Sequence, residues 1–277
     1  MEQEKIVVLD FGGQHNQLIA RRVRECNVYA EIFPYTTELS VIREMNPKGI
    51  IFTGGPNSVY DSASPHFARE ICDLKIPILG ICYGAQLLSW MEGGTVETAP
   101  VSEYGHTRLQ VDESADPLFK GVTPGTVVWM SHTDYISKVP EGFRITAHTK
   151  DCPVAAMSCP KRRLYAVQFH PEVMHTREGQ TMLRNFVLGV CGCSGEWKTG
   201  SFVEQSIHRL DAATAALRLA RRGNRTARSN IISCEVGTII WIKAIDNRFF
   251  ERYHSETERQ RRLEEFLRDA FSFIYSE

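Results

Sequence analysis

The chain carries almost no net charge: 32 Lys and Arg stand against 33 Asp and Glu, a formal −1 at pH 7. That balance gives no electrostatic case for nucleic acid or an anionic membrane as a partner. No apolar run approaches the ~20 residues that a membrane span needs. Met1 to Lys5 is charged and the apolar run after it is short, so no secretory leader is read there. Without a leader, the eight cysteines read as reduced thiols of a cytosolic protein rather than as a disulfide framework. Cys191-Gly-Cys193 has no second pair at zinc spacing, and no metal is expected. The glycine-rich stretch Thr53-Gly54-Gly55-Pro56-Asn57-Ser58 lacks the lysine of a Walker loop, and Pro56 removes one N–H donor.

What is present is globular composition, 43% hydrophobic and 23% charged over 277 residues, enough for one large domain or a domain with an appendage. Lys5 to Phe11 predicts a first strand whose continuous apolar run suits a parallel sheet covered on both faces. Gln14 to Cys26 repeats apolar residues at helical spacing, Val28 to Phe33 predicts a second strand, Thr37 is read as capping a helix through Met45, and Gly49 to Phe52 predicts a third strand. This alternation is the doubly wound α/β rhythm, in which ligands sit beyond the carboxyl ends of the strands. Ser64-Pro65 is read as opening a further helix. From Thr95 to Leu164 the pattern shifts to short strands and turns, a mixed or antiparallel part, with Ser131-His132-Thr133-Asp134 a polar segment after an apolar strand. Leu164 to Phe169 predicts another strand, and Glu178 to Leu188 a helix that buries Met182, Leu183, Phe186 and Val187.

The chain is organised around Leu79-Gly80-Ile81-Cys82-Tyr83-Gly84-Ala85-Gln86. The apolar run Ile76 to Ile81 predicts a buried strand that ends in a glycine-flanked cysteine, and a helical pattern follows at once. Gly-x-Cys-x-Gly at a strand-to-helix turn is the cysteine form of a nucleophile elbow. A side chain at Gly80 or Gly84 would crowd the turn, and the helix N-terminus favours thiolate at Cys82. A buried structural cysteine is the alternative. Far downstream, Val167-Gln168-Phe169-His170-Pro171-Glu172 ends a predicted strand. His170 can take the thiol proton, and Glu172 can hold the imidazole in the right tautomer. Residues two apart on an extended segment project the same way, so one strand end can present both. A glycine N–H of the loop at 53–58, with the N–H of Tyr83, can form an oxyanion hole. Gln86, one turn into the helix, either reaches a substrate amide or is an exposed helix residue.

Together these stretches resemble the class I glutamine amidotransferases, the Cys-His-Glu glutaminases, and within that class the glutaminase half of GMP synthetases. The resemblance rests on Asp10-Phe11-Gly12-Gly13-Gln14, Thr53 to Tyr60, the elbow with Tyr83, Trp129-Met130-Ser131-His132 and Gln168 to Thr176. It implies a flavodoxin-like core with Cys82, His170 and Glu172 as catalytic triad and Gly55 beside Tyr83 in the oxyanion hole. Ser131, His132 and Asp134 fall in the segment that helps bind glutamine, although Thr133 stands where the family often has Gly. His175 and Thr176 look like part of the surface that faces the synthetase half.

The resemblance runs over about the first 200 residues. Residues 1–194 are read as the glutaminase domain, 195–207 as a linker and 208–277 as a mostly helical appendage of unassigned role. The ATP-pyrophosphatase loop, Ser-Gly-Gly-x-Asp-Ser, that should open a second domain is absent after the linker. No cofactor is therefore expected in this chain; ATP and Mg are implied only for the missing synthetase domain, supplied by a partner subunit or lost through truncation or frame-shift. The charged, amphipathic stretch Asn247 to Tyr275 reads as a solvated helix face or as an interface for an oligomer or partner. The expected function is glutamine hydrolysis that feeds ammonia to amination of XMP. A glutaminase serving another acceptor, or a non-catalytic partner-binding module of this fold, are the other readings.

Overall fold

A computed structural model describes residues 3–198; the appendage read at 208–277 lies outside the described residues. Eight strands form one sheet in the order β2-β1-β3-β4-β10-β9-β8-β6. The parallel half is β1 (Lys5–Asp10), β2 (Tyr29–Pro34), β3 (Gly49–Phe52), β4 (Ile78–Ile81) and β10 (Leu164–Val167). It is extended by the antiparallel strands β6 (Gln110–Val111), β8 (Arg144–His148) and β9 (Ala156–Cys159). The apolar runs are continuous because both faces are covered. Ile6 and Val8 pack with Ile19, Val23, Met182 and Phe186 on one side, while Val7 and Leu9 pack with Ile42, Leu87 and Leu88 on the other. The helices involved are α1 (Asn16–Arg24), α2 (Leu39–Met45), α3 (Tyr83–Met91) and α4 (Gly179–Arg184), the last running on into a π-helical segment, Asn185–Val190. No helix among the described residues is long and apolar enough to cross a membrane.

Several expectations are corrected. Ser64-Pro65 opens no α-helix: the Ser64 hydroxyl donates to the Ser58 carbonyl at 2.6 Å and folds the loop on itself, and only a 3-10 turn, Arg69–Leu74, follows. Thr37 does not cap α2; its N–H closes a turn onto Pro34, and Glu38 takes the cap position. The region after Thr95 holds two long strands rather than short ones only, β5 (Thr95–Arg108) and β7 (Val127–Lys138), paired antiparallel in a separate ribbon. Ser131 to Asp134 is the middle of β7, not a loop. Val128, Met130, His132, Asp134 and Ile136 are its buried alternate positions, so the period-2 pattern runs through the polar residues.

The glycines of the elbow are fixed by packing. A Cβ at Gly80 would lie 2.5 Å from the Gly84 carbonyl oxygen, and one at Gly84 would strike the Phe52 carbonyl, because α3 starts directly against β3. Gly84→Ala is expected to destabilise the protein by about 2 kcal/mol through forced separation of these elements. A urea melt would show this as a lowered midpoint; an unchanged midpoint would contradict the packing argument.

Candidate active site

Adjacent parallel strands bring the two distant motifs together. Ile81 of β4 stands in register with Val167 of β10, and the Cys82 N–H donates to the Val167 carbonyl at 2.9 Å. Cys82 follows with φ +53°, a left-handed conformation that a non-glycine residue rarely adopts, and α3 begins at the next residue. This is the sharp strand-to-helix turn expected of an elbow. Around the Cys82 sulfur, Gln168 Nε2 approaches at 3.7 Å and the Ser131 carbonyl oxygen at 3.6 Å.

His170 and Cys82 meet beside Gly54, and His170 Nδ1 lies 2.7 Å from Glu172 Oε1. Because a carboxylate only accepts, Nδ1 carries the proton and Nε2 is left for the sulfur. Burial pulls the His170 pKa down, but the interaction with Cys82, the hydrogen bond with Glu172 and the charges of both outweigh it and raise the pKa to about 10. Glu172 is buried, and Arg22 Nε donates to its backbone carbonyl at 2.9 Å. Gly54 leans into the same space: a Cβ there would lie 3.4 Å from His170 Cε1 and 3.8 Å from Cys82 Cβ. Gly55 packs over the Tyr83 ring, and Tyr83 is anchored by its hydroxyl to the Pro65 carbonyl at 2.6 Å.

The other residues singled out from sequence sit nearby in different roles. Gln86 is buried, not exposed; its amide nitrogen bridges the Asp134 carbonyl at 2.8 Å and Gln168 Oε1 at 3.2 Å. The Asp134 carboxylate accepts from the hydroxyls of Ser58, Tyr60 and Thr98, tying the 53–60 loop to β7. His132 is buried, with Nδ1 3.0 Å from the Asp134 carbonyl and Nε2 3.4 Å from Glu103. Burial lowers its pKa against the opposing pull of Glu103. Ser131 is exposed beside Cys82. His175 is exposed and its ring leans on that of Trp129, centroids 4.5 Å apart and planes tilted by 37°, next to Met174, which is 86% exposed. Thr176 does not face outward with it: it is buried, and its hydroxyl donates to the His170 carbonyl at 2.6 Å while accepting from Trp129 N–H at 2.9 Å.

Sequence reasoning assigned no role to Gln168, Arg22 or His15, whose exposed ring meets that of His170 edge-on at 5.8 Å. Gln168 was findable, since it lies two residues before His170 and projects to the same side. Arg22 was not, because only the α1–α4 face brings it to Glu172. Among the described residues, Glu103, His132 and Cys152 bring a carboxylate, an imidazole and a thiol within 4.8 Å of one another, a set that can hold a metal. The Cys152 thiol is pushed up to about 12 by burial and by Glu103.

A polarised thiol–imidazole–carboxylate series at the carboxyl ends of parallel strands is suited to acyl transfer from an amide. Comparison with known proteins agrees. The family model for glutamine amidotransferase class-I matches residues 7–190. The chain is 60% identical over 210 residues to a GMP synthase (glutamine-hydrolyzing) of Lachnospira eligens, covering 76% of this chain and 40% of that protein. A protein of the same name from Clostridium botulinum is likewise 60% identical, with 41% of its length covered. The chain thus spans about two-fifths of the length of these relatives. Among solved structures, a putative GMP synthase subunit from Thermoplasma acidophilum superposes with TM-score 0.60 at 32% identity, over 69% of this chain and 96% of that one. A glutamine amidotransferase from Thermotoga maritima, 15% identical with TM-score 0.57, shares the fold. With a match over most of its length and a site of the matching kind, the chain belongs to the class-I glutamine amidotransferase family.

Proposed function

We propose that this chain is the glutaminase half of a GMP synthase, hydrolysing glutamine to glutamate and ammonia, with Cys82, His170 and Glu172 as the catalytic residues. The observation that carries the reading is that adjoining strand ends bring Cys82 and His170 together beside Gly54, with His170 Nδ1 2.7 Å from Glu172 Oε1. The Cys82 sulfur attacks the side-chain amide carbon of glutamine. Negative charge gathers on the amide oxygen and is met by the N–H groups of Gly55 and Tyr83. One such donor contributes about 3 kcal/mol to lowering the barrier. His170 then gives its proton to the departing nitrogen, ammonia leaves, and a γ-glutamyl thioester remains. The neutral imidazole next takes a proton from water, the hydroxide attacks the thioester, and glutamate departs as the sulfur is freed. Ser131 and the backbone around His132 border the glutamine pocket in this reading; Gln86 and Asp134 brace its walls.

The ammonia serves amination of XMP activated by ATP, carried out by an ATP-pyrophosphatase domain or subunit that this chain does not supply. The names of the relatives and the 60% identity support this acceptor. The exposed Met174 and the His175–Trp129 pair beside the catalytic loop give that partner a face to dock on. No cofactor is assigned to this chain, and a cytoplasmic location follows from the same reading.

Cys82→Ser is expected to lower ammonia release from glutamine by at least about 1000-fold in the presence of the synthetase subunit, ATP and XMP. Release by Cys82→Ser at the wild-type rate would remove the mechanism. The pH dependence has a fixed sign. His170 donates while protonated, so kcat should fall as pH rises through about 10. Its contribution to stability is complete below the ordinary imidazole value near 6.5 and is lost through the same alkaline window. Glu172→Gln removes one of the groups that raise the pKa and should move the alkaline limb of the kcat profile to lower pH. An unmoved limb would deny Glu172 its part in the series.

A further inference from the structure

We propose that Glu103, held by Thr149, is a positioning residue for glutamine, locking the His132 ring and with it the part of β7 that walls the Cys82 pocket. This deepens the glutaminase reading above and rests on it. Neither residue belongs to the motifs that carry the family resemblance.

Glu103 lies on β5 directly across from His132 on β7, and both are buried. The Thr149 hydroxyl oxygen is 2.8 and 3.0 Å from the two Glu103 carboxylate oxygens. That same oxygen accepts the Cys152 N–H at 2.9 Å, so its single proton is directed at Glu103. The carboxylate is thereby fixed 3.4 Å from His132 Nε2, and the other ring nitrogen lies 3.0 Å from the Asp134 carbonyl; both neighbours are acceptors, so the ring bridges them by donating from both nitrogens. Gln86 donates to that same carbonyl and to Gln168, and Gln168 in turn reaches the Cys82 sulfur. A buried polar chain thus runs from Thr149 to the nucleophile, crossing β7 at the residues that border the pocket. Burying a carboxylate carries a desolvation cost that an apolar residue avoids. The geometry accounts for tolerating it here: without Glu103 the His132 ring has a hydrogen-bond partner on one side only and is free to turn.

Truncation should therefore loosen the pocket more than it alters the chemistry. Glu103→Ala is expected to raise the KM for glutamine about tenfold or more, with a smaller fall in kcat. Glu103→Gln should stay within about threefold of wild type, because its carbonyl can accept from His132 Nε2–H while its amide N–H donates to the Thr149 hydroxyl oxygen. Thr149→Val should shift KM in the same direction as Glu103→Ala, and it serves as the second variant should that one not fold.

The test is steady-state ammonia release against glutamine concentration by the full chain with its synthetase partner, ATP and XMP, each variant's folding checked by thermal melting. A raised KM in Glu103→Ala with recovery in Glu103→Gln supports the proposal. Wild-type KM in both Glu103→Ala and Thr149→Val overturns it, as does Glu103→Gln failing as badly as Glu103→Ala. A metal ion that co-purifies with the wild-type chain, found by elemental mass spectrometry after desalting and absent from Glu103→Gln, would assign Glu103, His132 and Cys152 to a cation and also overturn it. An inert wild-type enzyme would instead overturn the glutaminase reading beneath it.

Discussion

The site depends on one pairing, the parallel contact of β4 with β10. Cys82 and His170 are far apart in the chain, and only the register of Ile81 with Val167 sets their strand ends side by side. The hydrogen bond from the Cys82 N–H to the Val167 carbonyl extends that ladder to Cys82 itself. The remaining parts hold this junction in shape. β3 abuts the start of α3 closely enough to exclude a side chain at Gly84, and Thr176 fixes the carbonyl of His170 against β7. A shift of one residue in the register would turn the strand side chains to the opposite face and separate the pair.

Burial holds five of the thiols back from ionising. Burial raises the pKa of Cys26, Cys72, Cys152, Cys191 and Cys193, which keeps them neutral and inert. Cys82 differs in its place: it stands at the start of a helix, Gln168 approaches its sulfur at 3.7 Å, and its backbone is held at φ +53°. Strain at that position is sustained by the packing of Gly80 and Gly84 on either side of it. His170 in turn is kept charged by its two neighbours although burial opposes this.

Much of this was legible in the residues. Continuous apolar runs at Ile6–Leu9 and Ile50–Phe52 marked parallel strands, and the glycine-flanked Cys82 with a downstream His-Pro-Glu marked the chemistry. The residues that brace the site were not legible in the same way. Glu103 sits on the separate ribbon and Thr149 just past β8 of the main sheet, so only the packed fold joins them, and Thr176 looks like any loop threonine until Trp129 is placed beside it. The polar residues His132 and Asp134 disguised the alternation of β7, because buried polar positions break an apolar pattern while keeping its period. Ser64-Pro65 carried a sound helix-start signal that the loop overrode by turning Ser64 onto Ser58.

The central claim is that folding makes Cys82 the single activated sulfur of the glutamine pocket. It is tested most directly by treating the protein with an electrophilic glutamine analogue and mapping the modified thiols by peptide mass spectrometry. The expected result is modification of Cys82 alone, one group per chain, prevented by excess glutamine. Modification spread over other cysteines, or unaffected by glutamine, would contradict the account.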